Sequence, residues 1–379
     1  MNGSFLKAQN SQNVFKEIIK GESCSRISIA KKLGLSKMTV TNIVSELIEK
    51  NLVIEKKVLT GDFKGRPAIE LMLSPNAPKA IGIYISPSYF CVLLEDLKLN
   101  VVKEKRIEIN KENQNNFEDL LLEILDEIVR SSLSEKFIGI GISIEGKFNK
   151  ENGVIEDKNI YFGRDNIDIK SKIKSHYDLP IYFDKSDICG VLAEARFGSG
   201  KGIDELLYLD ISKKVFSAAI HEGKIIKLDN GDSFNLAHFC IDYNGLSCSC
   251  GNKGCLEAYI NSEVMGKKLK DITKIHLDFA GFCELQNKKN DARIDWALKD
   301  MMDKLSIGLT SYISLMHPKL ILIGGDGYFI PNRYLSKLEK SLNEKTSDFN
   351  KTKIQIAKPS FKSEAKEIGS IISLIDNII

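Results

Sequence analysis

The sequence predicts an N-terminal winged helix-turn-helix followed by an α/β body in two related halves. Three observations carry this. Residues 9–47 hold three short apolar stripes at helical spacing, with Gly34-Leu35 as a tight turn before the third. Residues 52–73 hold two apolar runs around a basic, glycine-containing tip. Beyond Pro75-Asn-Ala-Pro78 the pattern changes to strands alternating with helices and their connections. The expected division is therefore 1–74 for the winged helix and 75–379 for the body.

In the first element, Val14, Phe15, Ile18 and Ile19 share one helical face, and Gly21 ends it. A second helix runs from Ser25 to Leu33. Ser36 is a favourable N-cap for a third, whose stripe is Val40, Ile43, Val44 and Leu47. The opposite face carries Lys37, Thr39, Thr41, Asn42 and Ser45, side chains of the kind that reach phosphates and base edges in a major groove. Together with Ser36, the residues Lys37, Thr39, Thr41 and Asn42 are the expected DNA contacts. Lys64 and Arg66, at the tip of the wing, would hold backbone or minor groove. Charge supports a polyanionic partner at this end. Residues 1–73 hold twelve Lys/Arg against seven Asp/Glu, although the whole chain is only +3.

In the body, strands are expected at 80–85, 90–94, 101–109, 137–144, 181–183, 206–211, 215–221 and 320–323. Helices are expected at 117–131, 187–197, 294–316 and 364–374. Gly324-Gly325 reads as a strand-to-helix turn, and Lys267–Lys274 as a solvated helical face. His176, His221, His276 and His317 stand alone and read as surface or satisfied core residues. The start of the chain has no apolar run of the signal-peptide kind, and no stretch is long enough to span a bilayer. A reducing cytoplasm is the expected location, where clustered thiols read as metal ligands.

Half of the eight cysteines fall between 240 and 255. Cys248-Ser-Cys250-Gly-Asn-Lys-Gly-Cys255 supplies three thiols, and His238 supplies an imidazole, enough to close a tetrahedral zinc shell within segment 238–257. If this stretch is extended, His238 and Cys240 share a face, and either completes the shell. Four protein ligands leave no open position, so the zinc is expected to be structural.

The C-x-C-G-x-x-G-C-L-E run, the Gly65-Arg66-Pro67 wing and Leu322-Ile-Gly-Gly325 make the chain resemble the winged-helix transcriptional regulators of the ROK family (repressor, open reading frame, kinase). The resemblance spans nearly the whole chain. It implies an actin-like ATPase (sugar kinase) fold in two lobes, and it favours His238 as the fourth zinc ligand. It also implies double-stranded operator DNA as a partner, a homodimer or homotetramer, and a sugar-like effector.

The positions that serve ROK sugar kinases are altered. The first phosphate loop, G-I-D-x-G-G-T in the kinases, is Gly82-Ile-Tyr84-Ile-Ser86-Pro87-Ser88 here, and proline lacks the N–H that would bind phosphate. The second loop's four glycines are replaced within Ser212-Lys-Lys-Val-Phe-Ser-Ala218. Ser186 takes the place of the catalytic aspartate and Lys185 that of a sugar-binding asparagine. Asn235 takes the place of a sugar-binding glutamate, while Gly146, His238 and Glu257 remain. Glu145 stands where proline is usual. A serine hydroxyl is not a general base near neutral pH. The resulting expectation is a non-catalytic repressor whose ligand contacts, if kept, are Gly146, Lys185, Ser186, Asn235, His238 and Glu257. A regulator with a vestigial pocket and a partner protein is the alternative, and a sugar kinase the third reading.

Overall fold

The computed structural model describes all residues except 1–2, 20–23, 59–67, 133, 229–232, 363 and 379. Gly21, Lys64 and Arg66 therefore lie outside the described residues. The chain forms two compact units, Met1–Asp184 with Ser370–Ile379, and Lys185–Gly369.

The first unit opens with α1 (Gly3–Ile19), α2 (Arg26–Leu33), α3 (Lys37–Glu49), β1 (Val53–Val58) and β2 (Ala68–Leu73). Local chemistry sets the helix ends. Ser25 and Ser28 form a reciprocal capping box at α2, and Gly34 closes α2 in the left-handed region. The Ser36 hydroxyl accepts from the Thr39 N–H at 3.0 Å and starts α3. Strands β1 and β2 pair antiparallel, Val53 opposite Leu73 through Val58 opposite Ala68.

Next come β3 (Lys79–Ile85), β4 (Tyr89–Glu95), β5 (Val101–Glu108), α4 (Phe117–Arg130) and β6 (Phe137–Ile144). Three short strands follow, β7 (Phe148–Asn149), β8 (Val154–Ile155) and β9 (Ile167–Asp168), with α5 (Ile169–Lys174) and β10 (Ile181–Lys185). The main sheet has the order β10-β6-β3-β4-β5. Phe117, Leu121, Leu125 and Ile128 on α4 share a buried core with Ile81, Ile83, Phe90 and Val92.

The second unit contains α6 (Ser186–Phe197), β11 (Leu206–Ile211), β12 (Val215–His221), β13 (Lys224–Ile225) and a 3-10 turn at Leu236–His238. It continues with α7 (Glu257–Ile260), α8 (Ser262–Thr273), α9 (Phe279–Lys289), α10 (Ala292–Met316), β14 (Leu320–Gly325), α11 (Asn332–Thr346) and β15 (Gln355–Ala357). Its sheet order, β13-β12-β11-β14-β15, repeats that of the first sheet: three antiparallel strands extended on one side through a parallel neighbour. The expected two related halves are present. Helices α5, α7, α9 and α11 are additions to the elements expected from sequence, while α8 contains most of the stretch expected as a helical face at 267–274.

The last helix, α12 (Ala365–Ile378), contributes its residues from Ser370 onward to the first unit. There Ile371, Leu374 and Ile375 join one core with Val14, Phe15 and Ile18 of α1, Val44 and Leu47 of α3, and Ala80 of β3. Burying each of the Val, Leu, Ile and Phe side chains here contributes about 2 kcal/mol. The N-terminal helices α1–α3 and strand β2 thus share their core with the end of α12.

Candidate metal centre and DNA-binding face

The thiol run folds as a compact loop. Gly254 has φ +70°, and a Cβ there would lie 1.7 Å from the Asp242 carbonyl oxygen, so only glycine fits. The loop brings His238, Cys248, Cys250 and Cys255 together, with all donor atoms within 4.8 Å of one another. His238 Nδ1 is 3.6 Å from Cys248 Sγ, and Cys250 Sγ is 3.7 Å from Cys255 Sγ. A tetrahedral zinc with S and N donors at about 2.3 and 2.1 Å has edges of about 3.8 Å (S–S) and 3.6 Å (S–N). The donor set therefore fits zinc in both identity and spacing. The Asn252 backbone N–H holds the Cys250 thiol below its ordinary pKa. Burial, helped by contacts with Cys250 and Cys248, pushes Cys255 up to about 12, where a metal would have to displace its proton.

Cys240 stands outside this cluster. His238 and Cys240 do not share a strand face, because His238 ends a 3-10 turn and, of the two, only Cys240 is in extended pairing. The imidazole converges on the thiols, and the Cys240 thiol instead donates to the Lys253 carbonyl at 3.6 Å.

Glu257 follows the run and is buried. Its Oε2 accepts the Val215 N–H at 3.0 Å. Its Oε1 accepts the Ser249 hydroxyl at 3.3 Å and faces Lys214 Nζ at 3.5 Å. Asn235 caps the 3-10 turn through the Ala237 N–H at 2.9 Å. Lys185 is the residue before α6, and Ser186 is its buried first residue. The neighbouring Asp187 is a buried carboxylate, but it accepts the Ser233 hydroxyl and the Ile188 N–H. Gly146 belongs to the first unit, with φ +97°. Lys214 and Ser249 were not singled out from sequence; they lie 43 and 8 residues from Glu257, and only the fold brings them to its carboxylate.

The turns that follow β3 and β11 are closed by their own bonds. The Ser86 hydroxyl accepts the N–H groups of Ser88 and Tyr89 at 3.3 and 3.1 Å. Tyr84 donates its hydroxyl to Glu145 at 2.7 Å in the buried interior. In the second unit, Asp210 accepts the Ser212 hydroxyl at 2.6 Å and pairs with Lys366 Nζ at 3.1 Å, with side chains only 1% and 9% exposed. Lys366→Ala is expected to cost about 3–5 kcal/mol, because it strips a buried carboxylate of its countercharge. Urea denaturation checks this, and an unchanged midpoint would contradict it.

On α3, Lys37, Thr41 and Asn42 are exposed, while Ser36 and Thr39 bond each other through their hydroxyls at 2.8 Å in the cap. Met38 was not among the contacts expected from sequence. It is 74% exposed on the same face, three and four residues from Thr41 and Asn42. An exposed thioether there suits contact with a thymine methyl. Arg26 bonds the Thr41 carbonyl at 2.8 Å and Glu55 of β1 at 2.8 Å, tying α3 to α2 and the wing. Lys56 and Lys57 of β1 are exposed.

The chain is 26% identical over 397 residues to the xylose repressor of Caldicellulosiruptor bescii, covering all of this chain and 98% of that protein. Its fold matches a ROK family transcriptional regulator, a homologue of the Escherichia coli Mlc protein. The TM-score is 0.83 at 22% identity, over 98% of this chain and 96% of that one. The ROK hexokinase from Thermus thermophilus matches with a TM-score of 0.67 at 18% identity, over 78% of this chain and 97% of that one. The body therefore has the actin-like sugar kinase fold. A family profile spans residues 80–376, and on that match the chain belongs to the ROK family.

Proposed function

We infer that this protein is a transcriptional repressor that binds operator DNA through its winged helix and carries a non-catalytic ROK body. The observation that carries the reading is the exposed face of α3, with Lys37, Met38, Thr41 and Asn42 held by a capped helix on a shared core. Relatives named as repressors over the full length support it. Lys64 and Arg66 are assigned to the wing's backbone or minor-groove contact. A two-fold symmetric dimer, alone or paired into a tetramer, would place two winged helices on half-sites a whole number of helical turns apart. No helix among the described residues is long and apolar enough to cross a membrane, and the expected site of action is the cytoplasm.

His238, Cys248, Cys250 and Cys255 are assigned to structural zinc. The metal would tie the loop together and so position Glu257. A sugar-related effector would use Lys185, Ser186, Asn235, His238 and Glu257 of the second unit. The internal bonds of Asn235 and Glu257 also favour a second reading, in which the pocket is a relic and a partner protein controls the repressor. A thermal shift with any hexose or hexosamine would exclude that reading, and none across a panel would exclude the sugar effector.

Genome-wide mapping of bound DNA would identify the operator. On that duplex, Asn42→Ala is expected to cost about 1–3 kcal/mol of discrimination at one base position. Lys37→Ala should weaken binding uniformly and reduce the salt slope by about one. Fluorescence anisotropy reads both. Wild-type binding by both variants would remove α3 as the reading helix, and ATP-dependent hexose phosphorylation at an enzyme-like rate would overturn the non-catalytic body.

A further inference from the structure

Cys240 and Cys255 lie opposite each other in an antiparallel bridge. The Ile241 N–H donates to the Gly254 carbonyl at 2.8 Å, and the Leu256 N–H donates to the Phe239 carbonyl at 2.9 Å. These bonds flank the cysteine pair instead of joining it. The pair is thus of the non-hydrogen-bonded kind, with Cα atoms about 4.5 Å apart and side chains leaving on one face. Disulfides bridge Cα atoms about 4.4–6.8 Å apart. A rotation about χ1 that takes the Cys240 sulfur from the Lys253 carbonyl toward Cys255 is the movement required. Cys240 is exposed, whereas Cys255 is buried among the metal-ligand thiols.

We propose that Cys240 is a redox-active thiol that, with a peroxide as oxidant, forms a disulfide with Cys255 and expels the metal. The Cys240 thiolate attacks a peroxide oxygen. The O–O bond breaks, leaving a sulfenic acid and releasing hydroxide. The Cys255 sulfur then attacks the Cys240 sulfur, forming the S–S bond as the S–O bond breaks and hydroxide leaves, to be protonated to water. In sum, two thiols lose two electrons and two protons, and one hydrogen peroxide becomes two waters. A disulfide sulfur is no longer a thiolate donor, so His238, Cys248 and Cys250 are left as an incomplete shell. The metal-release half rests on the proposed zinc centre, while the disulfide half rests on backbone pairing alone.

The test uses the full-length protein, loaded with zinc and treated with hydrogen peroxide. Peptide mass mapping after alkylation reads the disulfide, and a chromogenic chelator reads zinc release. The expected result is a Cys240–Cys255 crosslink with loss of zinc, both reversed by a thiol reductant and added zinc. Cys240→Ser, an exposed change outside the ligand set, should show no crosslink at Cys255 and release zinc about tenfold more slowly. A preparation that binds no zinc would count against the metal centre while leaving the crosslink to be scored. Alkylated Cys240 in the oxidised wild type, or zinc release from Cys240→Ser at the wild-type rate, would overturn the proposal.

Discussion

Cys255→Ser is expected to abolish stoichiometric zinc binding and to lower the melting temperature of the second unit by on the order of 10 °C. Cys255 is 1% exposed, and its sulfur lies 3.7 Å from Cys250. Without the metal, three thiols and an imidazole face each other with only weak hydrogen bonds to replace metal–ligand bonds. The damage should spread to Glu257, two residues on, whose carboxylate holds the Val215 N–H at the start of β12. His238→Ala should behave similarly, and Cys240→Ser should keep its zinc under reducing conditions. Elemental analysis and calorimetry read these outcomes. Full zinc occupancy in Cys255→Ser would remove the assigned shell, and retention by His238→Ala but not Cys240→Ser would reassign its fourth ligand.

Gly141→Ala is expected to destabilise the first unit by on the order of 3 kcal/mol and to weaken operator binding as well. Gly141 lies on β6, and a Cβ there would sit 2.1 Å from the Ser370 carbonyl oxygen of α12. Neither the strand nor the helix backbone can absorb that overlap without a shift. The same stretch of α12 carries Ile371, Leu374 and Ile375 into the core of the N-terminal helices. A displaced α12 therefore disturbs the seat of α1 and α3, although the substitution touches none of the residues assigned to DNA contact. Denaturant titration and anisotropy on the operator duplex measure the two effects. A variant with wild-type stability would refute the close approach, and a destabilised variant with unchanged DNA affinity would separate α12 from the DNA-reading module.

Elements whose signals are local were legible in the chain. Ser25, Ser36 and Gly34 mark helix ends through contacts within a few residues, and most body strands emerged within one or two residues of their observed limits. The thiol run was legible because its donors lie close in sequence and glycine lets the loop turn back. Spacing alone left His238 and Cys240 open, since that choice depends on whether residue 238 is extended and the chain makes a 3-10 turn there; the family resemblance favoured His238, the residue that lies beside the three thiols. Met38 was passed over because an apolar residue on a helix reads as core until neighbouring elements show which face they cover.

The sequence by itself determined the order of the elements, the amphipathic faces and the thiol run, because each is a property of neighbours along the chain. Tertiary structure alone decided that α12 completes the core of the N-terminal helices, that Lys366 neutralises Asp210, that Lys214 and Ser249 occupy Glu257, and that Cys240 faces Cys255. Each of these joins residues that lie between 8 and more than 300 positions apart. Packing, charge pairing and strand register select such partners in three dimensions, and no sequence periodicity encodes them.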